Sequence, residues 1–265
     1  MKREGYTAAN RQAWDETAPV HAKSQMEGLL MKLRDPAQLC LDETAQEWLA
    51  KEDVQGKDVV QLCCNNGREL ISIQRMGAKR CVGIDISAAF IAQAEQLNAV
   101  ANADCDFLAC DVYAVPVEYD AQFDLVYISI GIFGWLPDLM GFLAVCVRLL
   151  RPGGKLLIYE MHPILDMIDD MPNLPPKLAF SYFMTEPMAE DEGLDYYEFQ
   201  EYESSTSYWF HHKLADIIQG CLDCGFVLTG IAEYPHDISD VFAYLEKMDA
   251  RLPLCYVLSA QLGGE

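Results

Sequence analysis

Between residues 58 and 160, short apolar runs rich in β-branched side chains alternate with segments of helical period, which confines the chain to βαβ units and a parallel sheet. Parallel neighbours need crossovers of about a dozen residues or more, and the helical segments supply them. The pattern predicts strands at Asp58–Cys63, Arg80–Asp85, Cys105–Ala109, Phe123–Ser129 and Gly154–Glu160. Helices are expected at Glu69–Met76, Ala88–Ala101 and Leu139–Leu150, the last stopped by Pro152 and the glycines of RPGG.

The flanks depart from this pattern. Residues 1–50 are helical in period, with Trp14, Ala18 and His21 along one face and a second helix near Pro36–Leu49, and read as an N-terminal helical cap or lid over a core of residues 51–161. Residues 162–195 hold five of the twelve prolines (Pro163, Pro172, Pro175, Pro176, Pro187) and the acidic stretch Glu186–Asp195, so 162–212 reads as a substrate-side insertion after strand five. Within it, YYEFQEYESSTSYWF alternates well enough for one or two strands. Residues 213–265 are expected to close the core with a helix at Lys213–Cys224 and strands at Phe226–Glu233 and Leu254–Ala260. A length of 265 residues suits one α/β domain with such additions.

Charge and cysteine usage exclude several classes. With 41 acidic and 19 basic residues, the net charge of −22 repels phosphate backbones and anionic lipid, and the densest basic stretch is only Lys79 with Arg80. No nucleic-acid partner is expected, and no apolar stretch is long enough to span a membrane. The start MKREGYTAANRQAW lacks an apolar leader, so the ten cysteines read as reduced thiols of a cytoplasmic protein. Cys221 and Cys224 form a CxxC without a second pair at zinc spacing, so packed thiols and no metal are expected.

Ligands of doubly wound sheets sit beyond the carboxyl ends of the strands, at the switch point. In VVQLCCNNGRE a strand enters a glycine turn and then a helix, offering backbone N–H groups, with Cys63, Asn65, Gly67 and Glu69 as candidate contacts. Asp85 ends the next strand in VGIDIS, eighteen residues past Gly67, near the separation at which a carboxylate accepts both ribose hydroxyls, and Ile86 follows to pack on the base. Asp111 in LACDVY is placed to accept from an adenine amino group while Val112 packs against the ring. A nicotinamide dehydrogenase also uses a glycine turn and an acid, but G-x-G-x-x-G is missing here.

With those residues in view, Val59–Met161 resembles the core of class I S-adenosylmethionine-dependent methyltransferases. The resemblance is carried by VVQLCCNNG, GIDIS, ACDVYAVP, FDLVYISIGIFGWL and LLRPGGKLLIYE. It implies an α/β fold: a doubly wound, mostly parallel, seven-stranded, Rossmann-like sheet whose final strand is antiparallel. It also implies S-adenosylmethionine as cofactor and S-adenosylhomocysteine as product, with Ser129 and the cap residue Trp14 joining the cofactor contacts. Where the family commonly has an acid followed by G-x-G-x-G, this chain has Gln61, Cys63, Asn65 and Gly67. Asn65 or Asn66 can take a positive φ, Cys63 is small enough for close approach, and Gln61 cannot supply the acid's charge.

Methyl transfer from a sulfonium needs alignment and exclusion of water more than a catalytic motif. Where the acceptor must lose a proton, histidine is the natural base. His162 in YEMHP stands at the end of the fifth strand, and His211 with His212 follows Tyr208–Phe210, one of the two facing inward; His162 and His211 are the candidate catalytic residues, each with a cap or backbone hydrogen bond as the alternative. Aromatic residues of the insertion, among them Phe180, Tyr182, Phe183, Tyr196, Phe199 and Trp209, either enclose an apolar, aromatic or cationic acceptor or form the insertion's own small core. YISIGIF after the fourth strand is not the [DN]PP[YF] of nucleobase amino methylation, and NLPP at Asn173 is coincidental. The expected activity is methyl transfer to the O or N nucleophile of a small-molecule substrate; a protein or tRNA methyltransferase and a non-catalytic cofactor-binding protein stay open.

Overall fold

A computed structural model describes residues 1–169, 175–198 and 202–263. Its core strands are β1 (Asp58–Leu62), β2 (Arg80–Asp85), β3 (Cys105–Ala109), β4 (Phe123–Ser129) and β5 (Leu150–Met161). A short hairpin pairs β6 (Met188–Glu190) with β7 (Ser207–Trp209), and β8 (Phe226–Tyr234) and β9 (Cys255–Leu262) complete the large sheet. The order in the seven-stranded sheet is β3-β2-β1-β4-β5-β9-β8. All pairs from β3 to β5 are parallel, and the final strand β9 lies antiparallel between β5 and β8, as the resemblance implied.

Side chains of β1, β2 and β4 are buried on both faces, which is why their sequences run apolar without alternation. One face packs Val60, Val82, Val126, Ile158 and Leu258 against α6 (Leu139–Leu149) and α7 (Leu214–Asp223). The other packs Val59, Tyr127, Leu157 and Val257 against α3 (Glu43–Lys51), α4 (Arg68–Arg75) and α5 (Ala88–Ala101). A satellite cluster of Leu165, Ile168, Phe242, Leu245 and Leu254 closes the end of the sheet.

Two expected boundaries move. RPGG belongs to β5 instead of ending a helix, because a register shift opposite Phe123–Leu125 absorbs Arg151–Gly154 as a bulge, where proline and a left-handed Gly153 are tolerated. The second N-terminal helix begins at Glu43 instead of Pro36, since the Asp42 carboxylate caps Ala45 N–H at 2.7 Å while Asp35 holds Ala37 N–H in a turn. In the insertion only β7 of the expected aromatic strands forms among the described residues; Phe199 lies outside them, as does Asn173 of NLPP.

The N-terminal helix α1 (Arg3–His21) continues through a π turn, Ala22–Met26, into α2 (Glu27–Leu33). Its buried stripe is Thr7, Asn10, Ala13, Thr17, Ala18 and His21, polar and small, so it docks by hydrogen bonds as well as packing. Asn10 donates to Trp135 O and Tyr208 O and accepts from Tyr208 N–H, while Thr17 and His21 bond Leu194 O. All ten cysteines are free, and Cys221 is a fully buried core thiol. Among the described residues no cluster suited to a metal is present, and no helix is long and apolar enough to cross a membrane.

Gly83 of β2 shows how tightly the cofactor end of the sheet is packed: a Cβ there would sit 2.7 Å from the Phe107 ring and 2.8 Å from Cys64 Sγ. Gly83→Ala should therefore destabilise the protein by about 1–3 kcal/mol through overpacking. A urea midpoint equal to wild type would contradict that packing.

Candidate active site

The turn after β1 keeps a glycine-turn backbone almost without glycine. Cys63, Asn65 and Gly67 have φ of 53°, 50° and 69°, so every second residue is left-handed. Asn65 or Asn66 was expected there, and Asn65 takes the conformation while Asn66 does not; Cys63 is also left-handed, which its sequence did not suggest. For a residue with a Cβ this costs roughly 1–2 kcal/mol, so the surroundings must hold it. They do so through Cys64 N–H to Ile84 O at 3.0 Å, Asn65 N–H to Asp85 Oδ2 at 2.8 Å and Gly67 N–H to Cys64 O at 2.9 Å. Gly67 has no substitute, because its Cβ would lie 2.4 Å from Phe107.

Asp85 ends β2 and is buried, accepting from Asn65 N–H and from Ser87 N–H at 2.9 Å. Burial pushes its carboxyl up to about 6 against the pull of those N–H groups, and Asp15 of α1 adds repulsion. Ile86 N–H also acts on this carboxylate, so three backbone donors hold it and one of its four lone-pair positions remains. At the next strand end, Cys110 N–H bonds Asp85 O at 2.8 Å, and Asp111 Oδ1 caps Tyr113 N–H with Val112 buried beside it. Asp85, Ile86, Asp111 and Val112 thus share one rim.

On the other side of the turn, Gln61 Nε2 donates to Glu69 Oε2 at 3.0 Å and to Ser129 Oγ at 2.9 Å, and Ser129 also donates to Glu69. Gln61 Oε1 is buried without a partner. Burial raises the Glu69 carboxyl above its usual range against the bonds from Ser129 and Gln61. Arg68, one residue before, is half-buried, donating to Gln25 Oε1 at 2.8 Å and hydrogen-bonded to Tyr197. The sequence pointed to Gln61 as a loss of charge; the charge stands two turns away, on α4.

The rim beyond β4 and β5 is organised by Glu160, which was not anticipated. Its buried carboxylate accepts from the N–H groups of Gly131, Ile132, Phe133 and Met161, fixing the left-handed Ile130–Gly131 bend, and burial still pushes it up to about 7. Trp14 meets Trp135, Phe90 and His21 edge-on at 5.2, 5.6 and 6.0 Å. The insertion's aromatics pack outward onto this cap instead of forming their own core: Tyr197 on His21 at 4.8 Å, Tyr208 on Tyr6 at 5.0 Å and Trp209 on Trp135 at 5.0 Å, with Phe180 and Phe183 exposed.

The two candidate bases separate. His162 caps the following turn, its Nδ1 accepting from Ile164 N–H at 3.1 Å and its Nε2 3.0 Å from Glu233, so neither nitrogen is left for a substrate. His211 places Nδ1 2.7 Å from Asp166 Oδ2, and its buried Nε2 meets nothing. An unsatisfied buried polar atom costs about 1–3 kcal/mol. His212 also turns inward, onto Leu136 O at 2.8 Å, so both neighbours face the protein where one was expected to. Asp166 carried no sequence signal, since its partner stands 45 residues away.

Residues 59–154 match the family described as methyltransferase domain. Over this segment the chain is similar to methyltransferase domains. The chain is 30% identical over 106 residues, 40% of its own length, to a tRNA U34 carboxymethyltransferase of Nautilia profundicola. It is 36% identical over 122 residues, 45% of its length, to a ribosomal protein L11 methyltransferase of Photobacterium profundum. These matches span 35% and 37% of those relatives, so the chain covers little more than a third of either. A Burkholderia thailandensis 1,6-didemethyltoxoflavin-N1-methyltransferase, solved with S-adenosylhomocysteine, shares the fold with a TM-score of 0.58 over 99% of this chain and 91% of its own, at 14% identity.

The methyltransferase site fits its cofactor on the strength of its orphaned atom. An ammonium beside Gln61 Oε1 would satisfy that acceptor near Glu69, and Arg68 would suit the carboxylate of the same amino acid. Asp85 suits the ribose, and Asp111 with Val112 the adenine. Glu69→Gln is then expected to weaken S-adenosylhomocysteine by about 1.5–3 kcal/mol. The same change should leave 5′-methylthioadenosine, which lacks the amino acid, unaffected in calorimetric titration; equal losses for both ligands would move Glu69 out of the site.

Asp85 sets a pH dependence of opposite sign for stability and binding. Its raised folded value favours the ligand-free fold below the ordinary carboxyl range, a contribution lost as pH rises through about 6. Ribose recognition uses the ionised form, so S-adenosylhomocysteine should bind roughly tenfold more weakly at pH 5 than at pH 7.5. Titrations at the two pH values test this, and Asp85→Asn should flatten the difference.

Proposed function

We propose that the protein transfers a methyl group from S-adenosylmethionine to a small-molecule acceptor with an oxygen or nitrogen nucleophile. Bound at the strand ends, the cofactor supplies an electrophilic methyl on a sulfonium. The observation that carries this reading is the enclosure of the rim beyond β4 and β5. Asn10 of α1 ties Trp135 to Tyr208, Glu16 holds Ser205, and Asp15 holds Ser87, so the acceptor side lies beneath a helix and a hairpin. An acceptor that fits beneath such a cover is compact, and the net charge of −22 opposes a polyanion. On this reading residues 1–50 are a lid and 162–212 the substrate-side insertion, around a core made by 51–161 and 213–265.

The names of the tRNA and ribosomal-protein relatives favour macromolecular acceptors as a second reading, although the matched residues cover the cofactor half of the site. Labelled S-adenosylmethionine offered with separate small-metabolite, tRNA and protein fractions of a cell extract distinguishes the two. Label entering the small-metabolite fraction supports the proposal, and label confined to tRNA or protein removes it. Absence of calorimetric binding would instead mark a protein that does not use the cofactor.

The lid carries its own expectation. Removal of residues 1–21 should leave the circular dichroism of the sheet close to native and weaken S-adenosylhomocysteine at least about tenfold, or about 1.4 kcal/mol. Unchanged affinity in the truncated protein would reduce Trp14 and Asn10 to surface anchors.

A further inference from the structure

We propose that Asp166 and His211 form a general-base dyad for the acceptor, which must therefore be protic: a hydroxyl, a phenol or an N–H, and not a thioether or tertiary amine. The inference rests on the methyltransferase reading above and narrows its substrate class.

Asp166 stands on the 3₁₀ turn Pro163–Met167 that follows β5. Its Oδ1 accepts from Trp209 Nε1 at 3.1 Å and its Oδ2 lies 2.7 Å from His211 Nδ1. A carboxylate accepting from two donors fixes the imidazole proton on Nδ1, so the lone pair of the neutral ring belongs to Nε2. That atom is buried and unpartnered on a side chain only 1% exposed. The other histidines differ: His21, His212 and His236 direct Nε2 to Leu194 O, Leu136 O and Tyr159 Oη, and His162 has both nitrogens engaged.

The dyad also stands where an acceptor is needed. Phe210 N–H bonds Gly134 O at 2.6 Å, and the Trp209 ring fills the space a Gly134 Cβ would take, 2.1 Å away, so residues 209–211 clamp onto the loop after β4 while Asp166 comes from the loop after β5. A second buried atom without a partner, Tyr256 Oη, lies on β9 opposite Glu160. Tyr182 joins the two, meeting the His211 ring edge-on at 5.1 Å and acting electrostatically on Tyr256. The ionisable groups around His211 are Asp166, Tyr182 and His212, with Asp216 of α7 beyond His212; only Asp166 bonds the ring.

The proton of the acceptor O–H or N–H passes to Nε2 as its electron pair bonds the methyl carbon, and the carbon–sulfur pair stays on sulfur. The positive charge lost at sulfur reappears on the imidazolium, paired with Asp166. Deprotonation by a positioned base contributes typically 10²–10⁴-fold.

The test has two arms on the full-length protein. With the histidine ring nitrogens isotopically labelled and S-adenosylhomocysteine present, nuclear magnetic resonance should show His211 as the Nδ1–H tautomer with an Nε2 signal that moves on titration with phenol while the His162 signals stay in place; a His211 protonated on Nε2, or an Nε2 signal that phenol does not move, overturns the proposal. In the second arm, S-adenosylhomocysteine release is followed with phenol, catechol and imidazole against dimethyl sulfide and trimethylamine. Turnover should be confined to the protic set. His211→Asn should lower kcat about 100-fold or more and abolish the rising limb of its pH profile, with KM and S-adenosylhomocysteine affinity unchanged. Aprotic turnover equal to protic, or a variant that keeps kcat and pH profile, also overturns it. If no compound of the panel is methylated, the magnetic-resonance arm alone decides. Failure of S-adenosylhomocysteine to bind would sink the methyltransferase reading and leave the magnetic-resonance result standing.

Discussion

The buried carboxylate of Asp85 ties three parts of the molecule to one point. One oxygen holds Asn65 N–H of the first turn, the other holds Ser87 N–H at the start of α5, and Ser87 in turn donates to Asp15 of α1 at 2.6 Å. Burying a charge is costly unless hydrogen bonds repay it, and here the donors that repay it are the backbone groups a nucleotide site must arrange. The strain of two left-handed residues with side chains is sustained by the same bonds.

Around that point, the site redistributes chemistry that the resemblance placed in a glycine motif. Side-chain bulk at Cys63 and Asn65 is accommodated because the backbone still adopts the required φ. The acid absent at Gln61 stands at Glu69, in the first turn of α4, with Gln61 and Ser129 as its donors. Arg68 beside it sets a guanidinium and a carboxylate on adjacent residues of the first turn of α4.

Strands buried on both faces leave continuous apolar runs, so β2 and β4 could be delimited to the residue from the sequence; β3 and α5 were bounded as closely by their flanking turn and cap residues, and Asp85 and Asp111 stood out by their places after strands. RPGG misled because turn residues also serve inside a bulge, and Pro36 misled because Asp42 is the stronger cap. What stayed hidden depends on side chains meeting across long separations: Asp166 with His211, Glu160 with the loop after β4, and Asn10 with Tyr208, 198 residues away. No local pattern encodes such pairs, and a histidine with one free nitrogen reads the same as a histidine with none.

The composition of α1 has a consequence for solubility during turnover. Apart from Tyr6 and Trp14, the face it buries is threonine, asparagine, alanine and histidine, whose bonds to backbone carbonyls exchange for water at a net cost of about 0.5–1.5 kcal/mol each. A helix docked by a leucine stripe would expose an adhesive surface each time it lifted. On this helix that surface would be confined to the Tyr6 and Trp14 rings, which pack on Tyr208, Phe210, Phe90 and Trp135, and the rest of the face would meet water as polar or small side chains.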